Sequence, residues 1–274
     1  MVSVDIKLLE KINMKLVRKL RRSVWKVQEE FTLVEEGDKI LACLSGGKDS
    51  YTMLDMLLNL RDGSEMNFEI IAVNLDQKQP DYPEHVLPQF LEQYGVSYKI
   101  LEKNTYKIVQ EKLGGDQTMC SLCSRLRRGT IYEYARNIGA NKIALGHHME
   151  DVLETFFLNL FYGGKLESMP AKYLTDDQMI TVIRPLVYCE ESDIKEYADL
   201  RRFPIIPCNL CGSQPKMQRQ IIKKMLNDWE AGHPGRKRTI MTSLKNVHLS
   251  HLFDKKTFDF NDLFKEFQQS SLFN

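Results

Sequence analysis

Residues 39–58 constrain the fold more than any other stretch of the chain. A short apolar run, Lys39-Ile-Leu-Ala-Cys-Leu44, leads into Ser45-Gly46-Gly47-Lys48-Asp49-Ser50, and Met53, Leu54, Leu57 and Leu58 follow at helical spacing. A continuous apolar run of this length, ended by glycines, predicts a strand buried on both faces in a parallel sheet. Backbone N–H groups at such a strand-to-helix turn can form an anion-binding nest. Glycine suits that place because it tolerates φ > 0 and lets phosphate oxygens approach the main chain. The plainer alternative is a tight turn with Asp49 or Ser50 as an ordinary helix cap. The order strand, glycines, lysine, cap favours a phosphate loop over Ser45, Gly46, Gly47, Lys48, Asp49 and Ser50. It is not a Walker A loop, since Asp49 follows Lys48 where that motif needs Ser or Thr. A carboxylate beside a polyphosphate repels it unless a divalent cation lies between them, so Asp49 predicts Mg²⁺, with Lys48 as a point charge for the phosphates.

The strand-helix unit recurs. Phe68–Leu75 reads as a strand ending at Asp76, Val86–Tyr94 as a helix, Tyr98–Leu101 as a third strand, and Lys142–Leu145, closed by Gly146, as a fourth with a helix Asp151–Phe161 behind it. This alternation predicts an α/β fold, a doubly wound, mostly parallel sheet with its ligand site at the carboxyl ends of the strands. The loops at Ser45, Asp76 and Gly146 then share one rim, where Asn74 and Asp76 could meet a nucleoside. Asp151 reads equally as a helix cap and as a Mg²⁺ or catalytic carboxylate. His147 and His148 read as packed or hydrogen-bonded turn histidines in preference to ligands.

Ahead of this unit, Leu8, Leu9, Ile12, Leu16, Leu20, Val24 and Val27 recur at helical spacing among lysines and arginines, which predicts one long amphipathic helix over Ile6–Phe31. Beyond Gly163-Gly164 the pattern is mixed: a weak strand at Ile180–Ile183, a helix over Ser192–Leu200, another over Lys216–Trp229, a basic run Arg236-Lys237-Arg238 and an aromatic tail with Phe258, Phe260, Phe264 and Phe267. The expected division is an N-terminal helix over 1–35, the nucleotide domain over 36–200, and a helical C-terminal region over 201–274 packing on the core.

Two cysteine pairs carry the second chemical signal. Cys120-Ser-Leu-Cys123 and Cys208-Asn-Leu-Cys211 stand 84 residues apart, too far for one local zinc ribbon but within reach of a fold. Four thiolates would make a closed structural zinc site. Three of them on an iron–sulfur cluster would leave one iron open. Thiolate softness permits both metals. Cys43 and Cys189 read as buried apolar fillers. Lys plus Arg at 38 against Asp plus Glu at 37 excludes a globally basic nucleic-acid coat, so a charged partner must be met by local patches. Arg125, Arg127 and Arg128 after the first pair, Lys216, Arg219, Lys223 and Lys224 after the second, the first helix and Arg236–Arg238 are such patches, and together they suit an RNA backbone. With no bilayer-length apolar run and no continuous signal-peptide core, the chain reads as soluble and cytoplasmic, away from the membrane.

Ser-Gly-Gly-Lys-Asp-Ser resembles the pyrophosphate loop (PP-loop) of the N-type ATP pyrophosphatases, which split ATP into AMP and pyrophosphate to adenylate a carbonyl-type oxygen. From about Leu16 to Asp259 the chain resembles the tRNA-cytidine(32) 2-sulfurtransferases, through the loop segment, Ala-Val-Asn-Leu-Asp-Gln-Lys-Gln-Pro, Cys-Ser-Leu-Cys-Ser-Arg-Leu-Arg-Arg-Gly and Pro-Cys-Asn-Leu-Cys-Gly-Ser-Gln-Pro. One departure is Met149-Glu150-Asp151, where the family pattern has a basic residue and two aspartates. The resemblance implies a 4Fe-4S cluster on Cys120, Cys123 and Cys211, with Cys208 in reserve. It also implies ATP as cosubstrate, with Mg²⁺ organised by Asp49 and assisted by Asp151, and tRNA as substrate. Adenylation would fall on O2 of cytidine 32. Sulfur from a cysteine desulfurase, held at the open iron or as a persulfide, would then attack C2. Arg125, Arg127 and Arg128 would steady the tRNA or the adenylate, and the family resemblance implies a homodimer.

Overall fold

The structure, a computed structural model, describes residues 6–78, 82–105, 119–206 and 216–261; of residues 6–12, 119–124 and 216–217 it describes the backbone alone. Helix α1 spans Ile6–Phe31, the bounds its periodicity predicts. There follow β1 (Lys39–Cys43), α2 (Lys48–Gly63), β2 (Glu69–Asp76), α3 (Val86–Tyr94) and β3 (Tyr98–Glu102), then α4 (Met119–Asn137), β4 (Lys142–Ala144) and α5 (Met149–Leu158). The short strands β5 (Lys172–Leu174) and β6 (Thr181–Ile183) precede α6 (Glu191–Arg201), α7 (Lys216–Gly232) and α8 (Arg236–Ser243). The strands form one sheet in the order β3-β2-β1-β4-β6-β5, parallel throughout except that β5 runs antiparallel to β6 at the edge.

Because side chains alternate across a strand, β1 serves both faces. Leu41, with Val73 and Ile143 beside it, packs under Ala135, Ile131 and Tyr132 of α4. Ile40 and Ala42 are equally buried, on the face that α2 covers, and α1 and α6 pack on α2. Leu16, Leu20, Val24 and Val27 form the buried stripe of α1. The connection from β1 runs to β2 on one side, and β4 lies on the other, so a switch point opens between the carboxyl ends of β1 and β4, where a doubly wound sheet binds its ligands.

Several elements differ from expectation. The fifth helix starts at Met149, with His148 in the cap position, and its α-geometry ends at Leu158. Residues Asn159–Gly163 continue as a wider π turn closed by Gly164 at φ 60°. The helix after the phosphate loop begins at Lys48, with Gly47 rather than Asp49 or Ser50 in the cap position. Strand β5, a three-residue edge of which only Leu174 is exposed, has no periodicity to announce it.

The chain forms two compact units, Met1–Met225 and Leu226–Asn274. Within the second, the Glu230 carboxylate accepts from Gly235 N at 2.7 Å and Lys237 N at 2.8 Å, fixing the turn into α8 that carries the basic run. No helix among the described residues is long and apolar enough to cross a membrane.

Candidate active site

The loop between β1 and α2 is held from three sides. Gly46 sits at φ 81°, and a Cβ there would come within 3.0 Å of Ile206. Ile206 N in turn donates to Gly46 O at 2.9 Å, so the backbone approach requires glycine. Ser50 Oγ donates to Gly47 O at 2.8 Å and accepts from Ser45 N at 3.2 Å, while Ser45 Oγ accepts from Gly47 N at 3.3 Å. Both serines thereby close the loop on itself. From the neighbouring strand end, Gly146 presses against it: a Cβ on Gly146 would lie 2.9 Å from Asp49 O and 3.1 Å from Ser50 N. Those are backbone atoms and cannot swing aside. Gly146→Ala is therefore expected to destabilise the fold by about 1–3 kcal/mol and to weaken binding of a non-hydrolysable ATP analogue, read by urea unfolding and calorimetry. Unchanged values in both would mean that the two loops are not in this register.

Charge converges at the head of α2. Lys48 Nζ lies 3.0 Å from Asp49 Oδ1 and 3.3 Å from Glu191 Oε1. Burial disfavours its charge, but the two carboxylates outweigh this and hold its pKa above the usual lysine value. Glu191 also takes Lys223 at 2.6 Å, and its backbone N donates to Glu150 Oε2 at 2.9 Å. Asp49 Oδ1 is buried and makes no hydrogen bond, facing only the Lys48 ammonium and, farther off, His148. A carboxylate oxygen shielded from water and left in this state is a donor atom for a cation, so the residue fits Mg²⁺.

His148, also buried, links the two aspartates: Nε2 is 3.9 Å from Asp49 Oδ1 and 3.5 Å from Asp151 Oδ2, with Nδ1 3.2 Å from Glu150 Oε2. Burial opposes its charge, yet Glu150, Asp151 and Asp49 together raise its pKa. Asp151 is not the helix cap: it stands in the first turn, three residues after His148, and accepts from His148 N at 3.1 Å, while its other oxygen accepts from Arg219 at 3.0 Å. His147 is a packed turn histidine. Its Nδ1 accepts from Arg184 Nε at 3.2 Å, and since a guanidinium can only donate, the ring proton sits on Nε2. Burial pushes its pKa down to about 4.

At the end of β2, Asn74 Nδ2 donates to Leu44 O at 2.7 Å and its Oδ1 accepts from Tyr82 at 3.3 Å, which ties the ends of β1 and β2 together. Asp76, buried, is paired with Lys78 at 2.8 Å. Burial raises the pKa of Tyr82 and pushes the Cys43 thiol up to about 12, and Arg127, half-buried on α4, is near enough to oppose both shifts. Arg125 and Arg128 are exposed. Cys43 is partly and Cys189 fully buried, and neither thiol is activated. Cys120 and Cys123 stand one turn apart at the start of α4. Their side chains, and Cys208 and Cys211 entirely, lie outside the described residues. Among the described residues no group of three or more His, Cys, Asp or Glu side chains is arranged to hold a metal.

One expectation changes. Arg219 and Lys223 do not form a free basic patch: Arg219 binds Glu154 at 2.6 Å as well as Asp151, and Lys223 binds Glu191. The site's own carboxylates neutralise them. Glu191 is a site residue that sequence reasoning missed, and Arg219 was read only as part of a basic patch, since nothing local relates Glu191 to Lys48 or Arg219 to Asp151.

Residues 15–228 match the model of the PP-loop domain. A tRNA-cytidine(32) 2-sulfurtransferase from Cytophaga hutchinsonii is 63% identical over 91% of this chain and 87% of its own. The chain belongs to the tRNA-cytidine(32) 2-sulfurtransferase family. It is thus a transferase built on an ATP-using PP-loop domain. A second member of the family, from Actinobacillus succinogenes, is 59% identical over 91% of this chain and 80% of its own. The fold is similar to that of a U34-tRNA thiolase from Methanococcus maripaludis solved with its 4Fe-4S cluster, at a TM-score of 0.70 and 22% identity, covering 88% of this chain and 81% of that one.

Proposed function

We propose that this protein converts cytidine 32 of tRNA to 2-thiocytidine, using ATP to activate the oxygen that sulfur replaces. The observation that carries the reading is the pairing of Lys48 with Asp49, whose buried Oδ1 makes no hydrogen bond and faces only the cationic groups of Lys48 and His148, at the helix head on the strand-end rim of a PP-loop fold. Lys48 and the backbone N–H groups of the glycine loop hold the ATP phosphates, Asp49 takes Mg²⁺ with Asp151 beside it, and Asn74, Asp76 and Gly146 shape the nucleoside end. O2 of cytidine attacks the α-phosphorus, the bond to the β-phosphate oxygen breaks, and pyrophosphate leaves. Sulfur at the oxidation level of sulfide then attacks C2, the C2–O2 bond breaks, and O2 departs with AMP. The loop contributes orientation and charge neutralisation rather than covalent chemistry. A 4Fe-4S cluster on Cys120, Cys123 and Cys211 supplies a soft, open metal position for carrying sulfur. Arg125 and Arg128, exposed, and Arg127, over the rim, steady tRNA or the adenylate. A cysteine desulfurase supplies the sulfur, with a thiol reductant releasing it as sulfide, and the enzyme works as a cytoplasmic homodimer.

The reading is tested with anaerobically purified protein, ATP, Mg²⁺, sulfide and a tRNA transcript. Nucleoside mass spectrometry is expected to find 2-thiocytidine, with AMP and pyrophosphate formed in equal amount, and no product when position 32 is uridine. ADP and phosphate as products, or thiolation elsewhere, would overturn it.

A further inference from the structure

From Asn13 to Lys26 helix α1 carries Lys15, Arg18, Lys19, Arg21, Arg22 and Lys26 and no acidic residue. All six are exposed, while the opposite stripe, Leu16, Leu20, Val24 and Val27, is buried in the core of its own unit. Lys15, Arg18, Arg22 and Lys26 follow one another at three- and four-residue steps, which on a helix makes them neighbours along one line. Like charges so placed repel, and a solvated helix normally relieves this by mixing signs. Here only Lys19 among the described residues of the stretch has an acidic partner, Asp193 at 2.6 Å and Glu190 at 3.8 Å.

Those two ion pairs fix where the stripe lies. Asp193 belongs to the first turn of α6, and Glu191 in that same turn holds Lys48 of the phosphate loop. Farther along α1, Lys26 stands 5.9 Å from the centre of the Tyr188 ring, and Tyr188 donates to Glu30. Segment 188–193 is therefore packed between the basic helix and the ATP site. A groove of about 690 Å³ runs beside α1, lined by Lys15, Arg18, Lys19 and Arg22 on one side and Asp193 and Glu196 on the other.

We propose that this outward face of α1 is the surface on which the sugar-phosphate backbone of the tRNA lies when its target nucleotide enters the site. The inference rests on the function proposed above and adds to it a surface separate from the arginines of α4. A polyanion is the partner that relieves an uncompensated line of cations, and release of its counterions drives the association. A lipid surface fits less well, because a membrane-lying helix needs an apolar face to insert, and that of α1 is occupied by the core.

The test compares the full chain with its Lys15→Ala/Arg18→Ala/Arg22→Ala variant, measuring binding of fluorescent tRNA over a salt series. The slope of log affinity against log salt is expected to become shallower by about 2–3, at ~0.7–0.9 for each phosphate no longer neutralised, and affinity near 0.1 M salt to fall at least about tenfold. Binding of an ATP analogue is expected to be unchanged. The charge-preserving Lys15→Arg/Arg18→Lys/Arg22→Lys variant is expected to bind like wild type. If the triple alanine variant does not fold, Arg18→Gln and Arg22→Gln singly are expected to shift the slope by ~0.7–0.9 each. Equal slopes in wild type and variants, with wild type still thiolating tRNA, would overturn this surface and leave the function standing. Loss of binding to phosphatidylserine vesicles with tRNA binding intact would likewise overturn it, in favour of a membrane. A wild-type chain that binds no tRNA would remove both readings.

Discussion

Asp49→Asn is expected to slow pyrophosphate release from ATP by about 10²–10³-fold, the cost of losing one charged group that stabilises a transition state, while the melting temperature stays within about 4 °C of wild type. The two halves of this expectation have one cause. Asparagine keeps the size and shape of the side chain, and Lys48, which loses Asp49 as a partner, keeps Glu191 at 3.3 Å. The fold loses little, because what Asp49 gives up is a partly exposed ion pair with a lysine that stays anchored elsewhere. What disappears is the negative charge that a divalent cation requires. Raising Mg²⁺ should recover part of the rate, since the defect lies in holding the ion. Steady-state pyrophosphate release, taken with calorimetric melting of the same preparation, checks both. A variant with wild-type turnover would show that Asp49 serves only to anchor Lys48.

Cys123→Ala is expected to abolish 2-thiocytidine formation and the brown colour of anaerobically purified protein, with ATP-analogue binding unaffected. Cys120 and Cys123 lie one turn apart at the head of α4, and a cluster held by three thiolates does not survive the loss of one. The nucleotide loop lies between β1 and α2, away in sequence from this cysteine pair, so the two sites should fail separately. Iron analysis of wild type should give about four irons per chain. A single zinc, with thiolation intact in the variant, would remove the cluster from the account.

What the sequence made legible is what is local. The bounds of α1 and of Val86–Tyr94 follow from periodicity, because each buries one continuous stripe. The glycine loop and the Gly146 turn are legible because strand, glycine and cap lie within a few residues of each other. Strand β5 was invisible: three residues at a sheet edge, with Leu174 53% exposed, leave no pattern. Helix α4 was hidden for a different reason. Ile131, Tyr132 and Ala135 supply the packing of its second half, while its first half mixes Met119, Leu122 and Leu126 with two cysteines and three arginines. In the site, the pairing of Glu191 with Lys48 spans 143 residues and that of Arg219 with Asp151 spans 68. Only the fold makes them neighbours. The same limit misled the charge reading, since Arg219 and Lys223 look like an open basic patch until the carboxylates opposite them are known. The stripe on α1 escaped that fate because, among its described residues, Lys19 alone meets a carboxylate.

The most direct measurement follows one atom. A tRNA transcript carrying ¹⁸O at O2 of cytidine 32 is thiolated to completion, and the released nucleotide is analysed by mass spectrometry. If the PP-loop site adenylates that oxygen, the label appears in AMP, one atom for each 2-thiocytidine formed, and pyrophosphate stays unlabelled. Label in water or in pyrophosphate, with AMP unlabelled, would contradict the account, because the displaced oxygen would then have left without being adenylated.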